Sequence, residues 1–492
     1  MTITFNSVPS ALRVPFMAVE IDNSRAQQGP ALLAYRVLLM GQKTASGSAT
    51  ADTLHRVTSA DEVVPLAGRG SQLHRMALAY FTNNRFTETY IGVLADNGSG
   101  VAATGTLTVT GPATADGTLS LYIGGNLVSV GVSSGDTATE VAAAIVAALS
   151  TDLPVTAAVG GVGSEHIITV TAKNKGTAGN DIDVRLNYQD GEATPTGIAV
   201  AIVAMASGAT NPTLTSLIAA MGDTWFHVIA HPYTDATSLS AIEAEMADRF
   251  GPMRMIDGVA ITSALGSAST LGTLGDTRNS PHSIIVSQPG SDPIVPPVEF
   301  AAGVVGAVAL AANADPARPL QTLQVKGVLP PADADLFTLQ ERNLLLYDGI
   351  GTTSVASGGV VALERLVTTY QTNAAGSADT SYLDLTTMLT LLYLRYSFRT
   401  RIQTRYPRHK LAADGTRVGS GQAVITPKIG KAEAVLWFRE MEELGLVENF
   451  EQFKTDLVVE RNATNVNRLD FLLPPDLINQ FITGGVKLQF LL

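Results

Sequence analysis

The sequence predicts an α/β multi-domain protein: an α/β core with a parallel sheet, a small inserted α+β module, and a C-terminal α+β domain, with extended N- and C-terminal arms. Three observations predict it. Between residues 225 and 319, continuous apolar runs (225–231, 255–263, 282–287) alternate with amphipathic runs (239–250, 268–277) and end in a small-residue helix at 298–313. Parallel strands need helical crossovers and are buried on both faces, which gives this pattern. From Asp96-Asn97-Gly98-Ser99-Gly100 the texture changes to short Thr-, Gly- and Val-rich runs with turn residues between them. Finally, both chain ends read as extended segments with no nearby partner.

A chain of 492 residues exceeds one hydrophobic core and predicts two to four domains at roughly 100 to 200 residues each. Hydrophobic residues make up 46% and charged residues 15%, well under the roughly 25% of typical globular domains. Such a charge-poor surface predicts burial against partners. The net charge of −12 and the lack of a basic tail argue against nucleic-acid binding, which needs clustered Lys and Arg. With no cysteine, disulfides, thiolate nucleophiles and Cys-ligated metals are excluded. No secretory signal is readable in the first residues. The most apolar segment, 300–312, falls short of the roughly 20 residues of a membrane span, so a soluble chain is expected.

Residues 1–20 are expected to form an N-terminal arm. Ile3 and Phe5 alternate, and Val8-Pro9 and Val14-Pro15 hold the chain extended, since proline pushes its predecessor out of the α region. Strands are expected at 35–41 and 89–95 around a helix at 71–83 capped by Ser71, with a polar loop at 44–53. The module at 97–205 should contain strands at 105–110, 117–123, 126–132, 167–172, 182–188 and 198–206. Its one helix, 137–149, would be capped by Ser133, Ser134 or Asp136. A helix at 212–221 leads back into the core, so the core is discontinuous: 21–96 and 206–350. Surface loops tolerate such insertions, which usually face outward.

Beyond Pro319, a helix is expected at 333–343 and strands at 344–350 and 359–366. The C-terminal domain, 351–484, contains the longest helical pattern, 380–405. Its apolar residues give way to Arg395, Arg399, Arg401, Arg405, Arg408 and Lys410, with no acidic residue between Asp384 and Asp414. A second helix is expected at 430–443, strands at 453–461 and 467–473, and a short helical turn at 477–481. The last segment, 485–492, alternates Val486, Leu488 and Phe490 with Lys487, Gln489 and Leu491 and reads as a strand needing a sheet to join.

Candidate chemistry is sparse. Gly131-Val132-Ser133-Ser134-Gly135 matches the G-x-S-x-G elbow between a strand and a helix, but it lies in the small module, away from a large parallel sheet; a helix cap is the better reading. Gly68-Arg69-Gly70 resembles the start of a dinucleotide fingerprint but lacks its third glycine, with Leu73 in that place. His227 and His231 share one face of a strand, yet no third ligand is in register, so core packing is favoured over a metal. The Arg395 to Lys410 block suits an acidic protein surface better than nucleic acid, since no wider basic face accompanies it. No P-loop or H-E-x-x-H motif is present, and neither a cofactor, a metal site nor a catalytic residue is expected.

Several stretches carry a family resemblance: Ala314-Asp315-Pro316-Ala317-Arg318-Pro319-Leu320 after the small-residue helix, Val458-Val459-Glu460-Arg461-Asn462, Asn467-Arg468-Leu469-Asp470, and Pro474-Pro475-Asp476-Leu477 through Phe490-Leu491-Leu492. With the opening Ile3-Thr4-Phe5, they resemble the tail sheath protein of contractile-tailed bacteriophages, in particular the Mu-like branch. The likeness covers most of the chain outside the inserted module. It implies a virion tail subunit, assembled in the host cytoplasm, that polymerises as stacked hexameric rings around a tail tube. Contraction then drives the tube through the host envelope.

The implied partners are further copies of the chain, the tail tube protein, and baseplate and tail terminator proteins, with no nucleic acid and no membrane. The resemblance also implies that Ile3, Phe5, Val486, Leu488 and Phe490 belong to arms that pair with neighbouring subunits. It places the C-terminal domain toward the tube, with the Arg395 to Lys410 block as candidate tube or inter-subunit contacts. A contractile bacteriocin or injection particle is the alternative of the same class. An α/β hydrolase-like enzyme using Ser133 or His231 is the alternative of another.

Overall fold

The computed structural model describes residues 33–491, so the expected N-terminal arm with Ile3 and Phe5 lies outside the described residues. The chain divides into two compact units, 34–393 with the stretch from Leu477 onward, and 394–476.

The first unit opens with β1 (Arg36–Gln42), β2 (Thr53–Val57), α1 (Ala60–Ala67), α2 (Gln72–Asn83) and β3 (Glu88–Leu94). Next come β4 (Ala102–Thr110), β5 (Gly117–Ile123), β6 (Asn126–Val132), α3 (Ala138–Ala148), β7 (Val155–Val159), β8 (Ile167–Lys175), β9 (Val184–Leu186) and β10 (Ala199–Ala206). The chain continues through α4 (Thr215–Met221), β11 (Val228–Ala230), α5 (Ala236–Phe250), β12 (Val259–Ala264), α6 (Ala268–Asp276), β13 (Ser283–Ser287) and α7 (Pro297–Ala314). It ends with α8 (Leu339–Tyr347), β14 (Ile350–Ala356), β15 (Val360–Arg365) and the start of α9 (Leu385–Arg405).

Eight strands form one sheet in the order β15-β14-β13-β12-β11-β1-β3-β2. The six inner strands run parallel. Both edges are antiparallel, β2 on β3 and β15 on β14, so the expected parallel sheet is mixed. Strands β1, β11, β12 and β13 are buried along almost their whole length, as two-sided coverage requires. On one face, Leu38, Met40, Ile229 and Ala260 pack with Leu217 and Met221 of α4 and Ile242 and Met246 of α5. On the other, α2 and α7 cross closely: a Cβ on Gly306 would stand 2.9 Å from both the Tyr80 carbonyl oxygen and Asn83 Cβ. The small residues of α7 make that approach possible. Among the described residues, α7 is the one helix long and apolar enough to cross a membrane, and it is mostly buried in this core.

Residues 102–206 form two further sheets, β10-β4-β8-β7 and β6-β5-β9, around their own apolar cluster of Leu107, Leu121, Val141, Ile145 and Ile168. Asp96 joins them to the large sheet. Its carboxylate accepts from Gln42 Nε2 at 2.7 Å, Asn174 Nδ2 at 2.9 Å and the Lys175 amide at 3.2 Å. The helix cap is Thr137, in a reciprocal capping box with Glu140, rather than Ser133, Ser134 or Asp136.

Three expectations fail in the later chain for local reasons. Residues 344–350 are not a strand, because the Thr338–Glu341 capping box starts α8 and carries it to Tyr347. The strand follows at Ile350–Ala356, so the domain boundary expected after residue 350 falls inside the large sheet, which continues to Arg365. Residues 453–461 divide into α11 (Phe450–Asp456), which begins after Asn449 in the left-handed region (φ 60°), and a strand at Val458–Arg461.

The second unit contains the end of α9, β16 (Lys410–Leu411), β17 (Val424–Ile425), α10 (Pro427–Glu443), β18 (Val447–Glu448), α11, β19 (Val458–Arg461) and β20 (Leu469–Leu472). Its core is aromatic. Phe438 stacks on Phe453 with centroids 4.1 Å apart, and Trp437 meets Phe398 edge-on at 5.2 Å. Among the described residues, strands β19 and β20 pair only with each other.

Candidate functional site

The C-terminal tail is the most exposed apolar segment described. Residues 478–491 contain neither the expected helical turn nor the expected final strand. The tail is attached where Phe481 O accepts from Gln321 Nε2 at 3.2 Å and Gln480 Nε2 donates to Thr386 Oγ1. Beyond that point Val486 is 92% exposed, Leu488 87%, Phe490 77% and Leu491 101%. A strand needs a ladder, and residues 482–491 pair with no other described strand. Four large apolar side chains at 486–491 therefore meet water, where burying each would contribute about 1.5–3 kcal/mol. Phe481 (76% exposed) and Leu491 extend this surface and were missed, although the apolar pattern on both sides of Gly484-Gly485 was readable.

The basic block does not act as one surface. Arg401 is largely buried, and its Nε donates to Glu433 Oε2 at 2.8 Å while Nη1 donates to Glu440 Oε2 at 2.6 Å. Arg405 reaches the same Glu433 at 3.3 Å, and Tyr406 OH donates to it at 2.9 Å. Burial raises the Glu433 carboxyl, but hydrogen bonds from Arg401 and Tyr406 outweigh it and hold the group below its ordinary range. Lys410 donates to Gln422 Oε1 at 3.1 Å. Arg395 and Arg399 are half-buried on α9, and Arg408 is exposed beyond its end. The missed residue is Glu433, whose place opposite Arg401 the linear sequence did not reveal.

The residues with catalytic resemblance occupy structural positions. Ser133 and Ser134 lie in an exposed turn with Gly135 at φ 97°; the Ser133 amide donates to Asp136 and the Ser134 amide to Asp116, each at 2.7 Å. At Gly68-Arg69-Gly70, both glycines have positive φ (88° and 72°), and Ser71 caps α2 by accepting from the His74 amide. His227 is stacked between Tyr35 (4.5 Å) and Trp225 (4.9 Å) and accepts the Arg36 amide on Nδ1 at 3.0 Å. Burial pushes it down to about 3, and His231, fully buried, down to about 4. Both are neutral members of the core. Among the described residues, no group of three or more His, Asp or Glu is placed to hold a metal ion.

What remains prominent among the described residues is this exposed apolar ribbon, which joins no described sheet. Residues 207–369 match the phage tail sheath protein central domain, and residues 377–483 match the phage tail sheath C-terminal domain. The Mu-like prophage FluMu tail sheath protein of Haemophilus influenzae is 42% identical over 496 residues, covering 100% of both chains. The chain belongs to the phage tail sheath family; it is a structural component of the virion tail and not an enzyme. Solved sheath structures resemble it at low identity. The sheath tail protein of Desulfitobacterium hafniense is 15% identical with a TM-score of 0.48, over 94% of this chain and 100% of that one. The helical sheath of the anti-feeding prophage in its contracted state is 12% identical with a TM-score of 0.49, over 98% and 99%.

Proposed function

We propose that this chain polymerises as stacked hexameric rings around a tail tube and that the stack contracts to drive the tube through the host cell envelope. The exposed ribbon from Val486 to Leu491 carries this reading. In the polymer it completes β-structure in an adjoining copy, burying its apolar side chains and gaining a ladder that no described strand gives it. A suitable acceptor is the β19–β20 hairpin, since two-stranded sheets are marginal alone and neither outer edge pairs with another described strand. The N-terminal segment with Ile3 and Phe5 acts as the second arm.

Arms of this kind keep copies connected while the compact units re-pack. No nucleotide is required, because a metastable lattice releases free energy by exchanging one set of interfaces for another. Residues 36–96 and 206–365 form the core, 97–205 faces outward, and the C-terminal domain beyond the large sheet lies toward the tube. Arg395, Arg399 and Arg408, with Lys410, contact the tube or a neighbouring subunit, while Arg401 and Arg405 stay with Glu433 and shape that surface. The tube protein, baseplate and tail terminator are the remaining partners, met in the host cytoplasm during assembly. Electron microscopy of the purified full-length chain tests the reading: tubes or rings are expected, and a chain that stays monomeric at high concentration contradicts it.

A further inference from the structure

The module at 102–206 carries a second surface unlike the rest of this acidic chain. On the central strand β4, Thr104, Thr106, Thr108 and Thr110 occupy every second position and point away from the module's core. The register continues this face sideways. Thr106 lies opposite Thr169 of β8 on one side and Val203 of β10 on the other, and Thr104 lies opposite Thr171, which faces Thr156 of β7. Ala199 and Ala201 complete the β10 side, both exposed. No Asp, Glu, Lys or Arg stands on this face across residues 104–110, 156–158, 167–171 and 199–203. Lys173, next along β8, donates to the carbonyls of Arg69 and Thr151 at 3.2 and 2.6 Å.

The edge of that sheet is unguarded as well. β10 reads Ala-Val-Ala-Ile-Val-Ala-Met-Ala, without proline, glycine or charge, and its outer side pairs with no described strand. Folded proteins usually protect such edges with Lys, proline or a short strand.

From this face we infer a contact with a neighbouring copy of this chain, additional to the arm exchange and resting on the polymer reading above. Charge decides the occupant. Each copy carries a net charge of −12, so two copies approach with least repulsion through uncharged surface. Threonine hydroxyls both donate and accept, so they pair with whatever polar groups the neighbouring copy presents. A sugar ligand would call for aromatic platforms and a charged partner for opposite charge, and the face offers neither.

Four strands about 4.8 Å apart and roughly five residues long give about 300 Å² per copy. That is well below the roughly 800 Å² per partner of a stable independent interface. The contact therefore does not make dimers alone; it adds to the arms once they hold copies together.

The test uses the full-length chain with Thr169→Glu and Ala201→Glu combined, read by sedimentation of assembled tubes against subunit concentration. The critical concentration should rise by about tenfold, and added salt should recover part of the loss. Hydrogen exchange on wild-type protein gives a mutation-free readout: residues 199–206 should be more protected in tubes than in free subunits. Unchanged assembly of the double variant, or equal exchange in tubes and subunits, overturns the inference while leaving the polymer intact. Failure of the wild-type chain to assemble removes the polymer reading and this contact together. Retention of the wild-type chain on bacterial surface polysaccharide, lost in a double variant that assembles normally, would assign the face to a different partner and overturn it too.

Discussion

Arg401 and Glu433 meet at 2.8 Å across the pair of helices α9 and α10, both largely buried. This contact organises the second unit. Glu433 also receives Arg405 and Tyr406, and one turn further on Trp437 Nε1 donates to Ser397 Oγ at 2.9 Å. Removing one partner of a buried pair leaves the other charge unsatisfied. Glu433→Ala is therefore expected to destabilise this unit by about 3 kcal/mol. Trp437 fluorescence during urea unfolding, in a Trp225→Phe background, reads this unit selectively. A loss below about 0.5 kcal/mol would mean the pair behaves as an exposed one.

The same carboxylate gives an acid dependence. Its folded-state pKa is depressed, so its contribution is present above the unfolded value and is lost as the pH falls through the folded one. The second unit should lose stability on acidification below the ordinary Glu range, and Glu433→Gln should flatten that loss. An identical acid slope in the variant would assign it elsewhere.

His227 and His231 predict a separate transition at higher pH in the first unit. Both are neutral when folded, at about 3 and about 4, against about 6.5 unfolded. Below about 6.5 the unfolded state binds more protons, so stability falls as the pH drops. At pH 5 each histidine should account for about 2 kcal/mol lost relative to pH 7 or above. His231→Leu should remove about half of that slope in denaturant titrations, and an unchanged slope would contradict the assignment.

Gly306 fixes the approach of α2 and α7. Since an added Cβ would meet the Tyr80 carbonyl oxygen at 2.9 Å, Gly306→Val must push the helices apart. A loss of about 1–3 kcal/mol is expected from such overpacking, measured by thermal melting. A neutral variant would show that the helices separate freely.

The central strands were legible because burial on both faces leaves runs such as Ile284-Ile285-Val286 without a polar residue. Strands β5 and β6 were legible down to their end residues, since Gly124-Gly125 marks the turn between them. Edge strands were harder. In β2, His55 and Arg56 face water and resemble loop, and β14 begins Ile-Gly-Thr-Thr, with too few apolar residues to mark it. The helix at 339–347 carried a readable signal, Thr338 with Glu341 three residues later, but its apolar Leu344-Leu345 suggested a strand. In the tail, the alternating apolar positions are exposed, and no local pattern states which sheet, if any, they would join.

The most direct measurement is removal of residues 486–492 from the full-length chain, followed by electron microscopy and light scattering at assembly concentration. The tail from Val486 makes no ladder with the described residues, so the truncated subunit should melt at an unchanged temperature, remain in solution and form no tubes. Tubes of normal yield and length from that folded, truncated chain would contradict the account.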